Sequence, residues 1–343
     1  MMVDPDATVN SELTITDDDR LIWNEELADF VPSRIFDAHV HLLDNRHLSA
    51  AENTFENWAD TDFKTLQAGA EKLYPQREIH FLVLGTPLPG IDVGAHNDWV
   101  ADQVRFDPQS RMNRLVTPAC SMSDIERDYS KLGYIGLKPY RLFSSTGDPH
   151  QCRITDFLPH EQLEFANDHH LWVTMHLSRF HGCGDELNLA DLHEFTTRRY
   201  PHVRWILAHC ARSFTYWPIR QGIERLRDMP NIWYDVSAVT DVLPLITLFT
   251  KEDIKRVFFG SDAVDSTYFH GKYVTLGRAW QGLNADRIKL EFPHCDGRPI
   301  LAIYEQLLAM KHAAELAGLS QSDIEDIFWR NAALAFDVTF DET

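Results

Sequence analysis

Short apolar runs, many of them β-branched, alternate along the chain with longer stretches whose apolar positions recur at helical spacing. That alternation predicts a parallel α/β fold. Strands are expected at residues 34–41, 79–86, 114–120, 134–140, 171–177, 204–209, 232–237 and 256–261. Runs such as Trp205-Ile206-Leu207-Ala208 and Val257-Phe258-Phe259-Gly260 are apolar throughout, as strands covered on both faces are. Helices are expected at 158–170 behind Asp156 as a cap, at 189–200 up to Pro201, and at 217–227 before Pro230. Two closing helices fill 300–336, one ended by Gly318 and the next opened by Ser320. Eight strands with helices between them predict a (β/α)8 TIM barrel, whose usual size is about 250 residues. The rival, a doubly wound open sheet, lacks a Gly-x-Gly-x-x-Gly turn. The expected organisation is an N-terminal extension over 1–33 and one barrel domain over 34–343.

Two connections are long: the one after the first strand, carrying Phe55, Trp58, Asp60, Asp62 and Phe63, and the one over 263–299 after the eighth. Both should leave the C-terminal face of the barrel, where such loops build an active-site rim. Side chains two apart on a strand share a face, so His39 and His41 should point into the mouth together. Two imidazoles so placed can share a metal. The other strands end in chemistry as well: the fifth at His176, the sixth at His209, the eighth at Asp262, with Lys138 on the fourth. His41 to Lys138 spans 97 residues, room for three βα units, and His176 to His209 spans 33, one unit. A lone histidine at a strand end is usually a hydrogen-bonded structural residue. Four histidines and an aspartate arriving at one rim are not.

With Asp37-Ala38-His39-Val40-His41, Gly260-Ser261-Asp262 and the closing Trp329-Arg330-Asn331-Ala332-Ala333, the chain resembles the amidohydrolase superfamily. The resemblance is closest to the branch containing aminocarboxymuconate-semialdehyde decarboxylase and related metal-dependent hydrolases. It implies His39, His41, His176 and Asp262 as ligands of a divalent metal, with His209 as a second-metal ligand or as the residue that orients and protonates substrate. Lys138 stands where binuclear members carry a carbamylated lysine, so one ion or two are open, and one is favoured. Zinc suits three imidazoles and a carboxylate, with manganese, iron or cobalt as alternatives. Such a cation activates water at neutral pH, and Asp262 can take the proton. The implied activity is hydrolysis of a C–N, C–O or lactone bond of a small molecule. Non-oxidative decarboxylation of an aromatic or enoic acid is the alternative.

Arg141, Arg179 and Arg212 each follow a strand end by a few residues, and arginine forks bind carboxylates. An acidic substrate is therefore expected, with Arg141, Tyr140 and Arg179 as its candidate contacts; Trp58 and Trp217 could stack on a ring. Cys210, by alternation after His209, should point away from the mouth. A formal net charge of -20 argues against nucleic acid and anionic membranes as partners. A small molecule is the expected partner, and a homo-oligomer is compatible with the sequence. Five scattered cysteines, no apolar leader and no long apolar span predict a cytoplasmic protein.

Overall fold

The computed structural model describes residues 13–49, 60–289 and 291–340. Eight strands form one sheet in the order β1 to β8. They are β1 (Arg34–Leu42), β2 (Glu78–Gly85), β3 (Arg111–Val116), β4 (Gly136–Pro139), β5 (Trp172–Met175), β6 (Arg204–Leu207), β7 (Ile232–Asp235) and β8 (Val257–Phe258). Every neighbouring pair is parallel, with helices between, and the whole is a (β/α)8 barrel. The sheet closes just beyond the short β8. There Ala38 donates its backbone N–H to Phe259 (2.9 Å), Asp262 to His39 (2.8 Å), and His41 to Ala263 (2.8 Å).

Several expected boundaries move. β3 starts at Arg111 because residues 111–113 pair with Leu82–Leu84. β6 stops at Leu207, where the backbone turns sharply. The helix expected at 158–170 is His160–Asp168, and Asp156 does not cap it; its carboxylate accepts the Arg153 N–H at 2.7 Å in the preceding turn. The stretch 189–200 divides into an α-helix, Glu186–Glu194, capped by Asp185, and a π-turn, Phe195–Arg199. The closing helices are Ala302–Ala317, ended by Gly318 at φ 72°, and Asn331–Phe336, reached through Gln321–Glu325 behind a Ser320–Asp323 capping box.

Two apolar layers hold these elements. Ile35, Val40, Val83, Val173 and Leu207 face the surrounding helices. Inside the barrel, Phe36, Ala38, Leu82, Leu84, Trp172, Ile206 and Phe258 form a separate cluster with Ala332, Phe336 and Val338 of the chain's end. The Phe336 ring lies 5.1 Å from Trp172 and 5.3 Å from Phe258, so the last helix plugs the lower end of the barrel. Asn331 secures it, donating to the carbonyls of Ile254 (2.8 Å) and Val257 (3.0 Å) at the entry to β8.

Among the described residues, both long connections contain regular structure. After β1, Asp60 binds the Asn45 backbone (2.7 Å), and Asp62 caps a helix, Phe63–Leu73, whose Phe63 is buried. Phe55 and Trp58 lie outside the described residues. After β8 comes an antiparallel hairpin, β9 (Gly271–Leu276) and β10 (Ala279–Asn284), that the sequence did not suggest. Its base is tied to the N-terminal helix Asp17–Ile22 by one imidazole. His270 meets Asp19 at 3.0 Å and Asp286 at 3.1 Å, while Asp19 also accepts the Leu301 N–H at 2.9 Å.

Those two carboxylates push the His270 pKa up to about 9, the hydrogen bond to Asp19 contributing most. A folded-state value above the unfolded one stabilises fully below about pH 6.5, and the gain is lost as pH rises through about 9. His270→Gln should therefore unfold at lower urea concentration than the parent at pH 6, and the gap between the two midpoints should narrow above about pH 9. An equal gap at both pH values would show that His270 is not charged in the fold.

Candidate active site

The polar residues at the upper strand ends are brought together by a change of phase in β1. Phe36 and Ala38 belong to the interior cluster, yet Val40 and Leu42 face the helices. The register against β2 shifts between Asp37 and Val40. This bulge turns His39 as well as His41 inward, a common use of bulges beside active sites. Their rings lie 5.2 Å apart. Opposite them, Gly260 lets the β8 segment approach, since a Cβ there would stand 3.0 Å from His39 Cβ. Asp262 follows, with Oδ1 3.3 Å from His39 Nε2 and 3.4 Å from His41 Nε2.

The tautomers follow from the partners. His39 Nδ1 faces the Asp235 carboxylate (2.9 Å) and His41 Nδ1 the Leu84 carbonyl (3.3 Å). His176 Nδ1 faces the Leu177 carbonyl (3.1 Å) and His209 Nδ1 the Ser237 carbonyl (2.9 Å). These acceptors require Nδ1 to carry the proton, which leaves each neutral ring with a bare lone pair on Nε2. Burial keeps His39, His41 and His176 neutral: it lowers His39 to about 4, lowers His41, and drives His176 well down with help from His209, Arg212 and Arg141. Burial alone would raise Asp262, while a proton on the facing His39 or His41 would hold its carboxyl below the usual range. With those rings neutral, two imidazole lone pairs converge on one carboxylate oxygen. Three acceptors at that spacing repel one another unless a cation lies among them. The donor set fits a divalent metal, and His39, His41 and Asp262 are one of two compact ligand-type groups among the described residues.

The second group, His39, His209 and Asp235, has different chemistry. Asp235 is fully buried, and its oxygens are occupied. Oδ2 accepts from His39 Nδ1; Oδ1 accepts from the backbone N–H of His209 (3.0 Å), the backbone N–H of Ser237 (3.1 Å) and the Ser237 hydroxyl (2.5 Å). Such a carboxylate orients a ligand histidine rather than binding metal itself. Asp235 and Ser237 carry no expected role in the sequence; the available signal was an aspartate ending the apolar run Ile232-Trp233-Tyr234.

Asp235 also anchors an unusual piece of backbone. His209, Cys210, Ala211 and Arg212 all have positive φ, between 50° and 61°. A left-handed turn built without glycine costs roughly 1–2 kcal/mol per residue. It sends both His209 and Arg212 toward the mouth. Cys210 is buried within it, and burial pushes its thiol well up, so it is no nucleophile. The expected outward orientation needs a strand running to residue 209, whereas the strand ends at Leu207 and alternation does not reach Cys210.

The remaining candidates divide. His176 lies beyond His209, ring to ring at 5.1 Å, with Tyr140 against it at 5.1 Å; it belongs to neither compact group. Lys138 is buried, its Nζ 3.4 Å from His39 Nε2, and burial lowers its pKa to about 8. Arg179 is engaged by Asp185 (2.7 Å) and the Gln151 carbonyl (2.6 Å). Arg141 and Arg212 have backbone carbonyl partners at Pro149 and Arg179, but the Nε of each is buried and unpartnered. Burial and Arg141 together lower Arg212 to about 10. Trp217 is covered by Arg278, 5.0 Å from its ring.

A family model described as Amidohydrolase matches residues 36–338. No match is found among curated proteins. Among solved structures, a probable 2-pyrone-4,6-dicarboxylic acid hydrolase from Acinetobacter baumannii with citric acid bound superposes with a TM-score of 0.57 at 11% identity, covering 88% of this chain and 99% of that one. A 2,6-dihydroxybenzoate decarboxylase in complex with 2,6-dihydroxybenzoate gives 0.54 at 10% identity, covering 90% and 100%. A dihydroxybenzoic acid decarboxylase from Polaromonas sp. with bound manganese and 2-nitroresorcinol gives 0.53 at 12% identity, covering 89% and 97%. These likenesses establish the shared barrel.

Asp235→Asn would set an amide donor against either the His39 N–H or the donors of His209 and Ser237. It should lower unfolding free energy by about 1–3 kcal/mol, the cost of buried donors left unpaired. Urea denaturation of metal-free protein measures it, and an unchanged midpoint would refute the anchoring role.

Proposed function

Because the chain belongs to the amidohydrolase family, we propose that it is a metal-dependent hydrolase of a small acidic substrate, with His39, His41, His176 and Asp262 holding one divalent ion. The observation that carries this reading is the convergence of the bare Nε2 atoms of His39 and His41 on Asp262 Oδ1. A bound ion of this kind supplies Lewis acidity and lowers the pKa of water toward about 7. The protein's own groups supply the rest. Asp262, ionised at neutral pH, accepts a proton on its carboxylate and returns it to the leaving atom. His209, fixed by Nδ1, presents Nε2 as the second site for a proton. Zinc is the preferred ion; manganese, found in one decarboxylase of the same fold, is the next candidate.

Arg141 and Arg212 favour a carboxylate on the substrate. Both face His176, they repel each other, and each keeps a buried N–H without an acceptor. An anion relieves both costs at once. Arg212 takes the role the sequence gave to Arg179, whose guanidinium already has Asp185.

Decarboxylation is the second reading. The aromatic faces of Tyr140 and Phe214 beside His176 and His209 suit a planar conjugated acid, and His209 would then protonate carbon. Assaying CO2 release against hydrolytic product over a panel of lactones, amides and aromatic acids separates the two.

His39→Ala combined with His41→Ala should abolish both bound metal and turnover, and wild-type metal content in that variant would sink the assignment. Lys138→Ala should retain one ion per chain by elemental analysis; a fall from two to one would reveal a bridged pair instead. Arg212→Met should raise KM for an acidic substrate about tenfold or more, as loss of a charge-assisted hydrogen bond implies, with a smaller effect on an uncharged analogue.

A further inference from the structure

The β9–β10 hairpin reaches back over the mouth from the far side of β8. Cross-strand pairing places Trp280 opposite Thr275 and Gly282 opposite Tyr273, so Tyr273, Thr275 and Trp280 share the face turned to the barrel. Side-chain and backbone ties hold that face down. Thr240 donates to the Tyr273 carbonyl (2.7 Å), Thr275 to Asp241 (3.1 Å), and the Tyr273 hydroxyl to the Ser266 carbonyl (3.1 Å). Gly282 leaves room for the Tyr273 ring, 3.1 Å from where a Cβ would stand.

From this face a column of rings descends to the site. Trp280 stacks on Phe214, centroids 4.1 Å apart and planes 25° off parallel; Phe214 lies over His209 at 5.0 Å and 31°. Tyr273 closes the side of the column, 5.4 Å from Phe214. Trp280 remains 38% exposed, so burying its own surface does not account for its place. His209 sits on a left-handed turn, and its ring is hydrogen-bonded through Nδ1 alone, with His39 and His176 on its other sides. A ring fixed at one atom can still rock about that hydrogen bond, and a flat neighbour stops it.

We propose that Trp280 is a positioning residue for His209, acting through Phe214, so that the hairpin sets the orientation in which the His209 Nε2 faces the mouth. This rests on the reading of His209 as a proton-transfer group, but the column itself can be tested without turnover. In zinc-loaded protein labelled with 15N-histidine, the His209 ring signals are identified by their loss in His209→Gln. Trp280→Ala should shift and broaden those signals, and Trp280→Phe, which keeps a flat ring, should restore the parent positions. Phe214→Leu removes the middle ring while leaving the hairpin untouched, and should reproduce the Trp280→Ala shift. Parent-like His209 signals in both Trp280→Ala and Phe214→Leu would overturn the proposal. If the signals move as expected but His209→Gln turns over normally, the catalytic reading of His209 fails and the positioning stands.

Discussion

The closure of the sheet between its first and last strands is the constraint on which the site depends. β8 is only Val257–Phe258, so the ring is completed by irregular backbone beyond it, and the Asp262 N–H bonds the carbonyl of His39 itself. The residues proposed to hold the ion are thus also residues that close the barrel. A break in that seam would separate Asp262 from both imidazoles at once. Gly260 permits the contact sterically, and Gln306 of the helix Ala302–Ala317 secures it from behind, donating to the Gly260 carbonyl (2.8 Å) and accepting the Ala238 N–H (2.8 Å).

A second carboxylate distributes order across the mouth. Asp235 holds His39 by its ring and His209 by its backbone, so an imidazole on β1 and a left-handed turn after β6 share one buried anchor. Strained backbone of this kind persists only where its surroundings over-determine it. Here the hydrogen bonds at Asp235, the close packing of Gly182 against the Arg212 carbonyl, and the ring of Phe214 supply that support. The electrostatic pattern is consistent with the same design: ionised aspartates beside neutral imidazoles, and two cationic side chains near His176 lacking full partners.

Much of the fold was legible because strand identity is written in composition. Continuous apolar runs such as 205–208 and 257–259 suit doubly covered strands, and the spacing of His39, His41, His176, His209 and Asp262 follows from whole numbers of βα units between them. What could not be read were features decided by tertiary contact. The phase change in β1 has no local signature, since Ala38 and His39 would both fit a regular strand. Asp235 resembles any aspartate after a strand until His39 is seen beside it. That Arg179 finds a carboxylate and Arg212 does not is decided by Asp185, which stands at a neighbouring helix start. The hairpin after β8 escaped notice because its strands are short, half-exposed and rich in glycine and polar residues.

The lower end of the barrel is filled by Phe336 and its neighbours, packed on Phe36, Trp172 and Phe258. Among the described residues, that end offers no way in, so a molecule reaching the four histidines would come and go at the upper end, which the hairpin overhangs. Arrivals and departures share that threshold, so one molecule has to vacate it before another can take its place. Turnover in such a vessel becomes sensitive to how quickly the spent molecule clears the entrance, and the residues overhanging it govern traffic as well as chemistry.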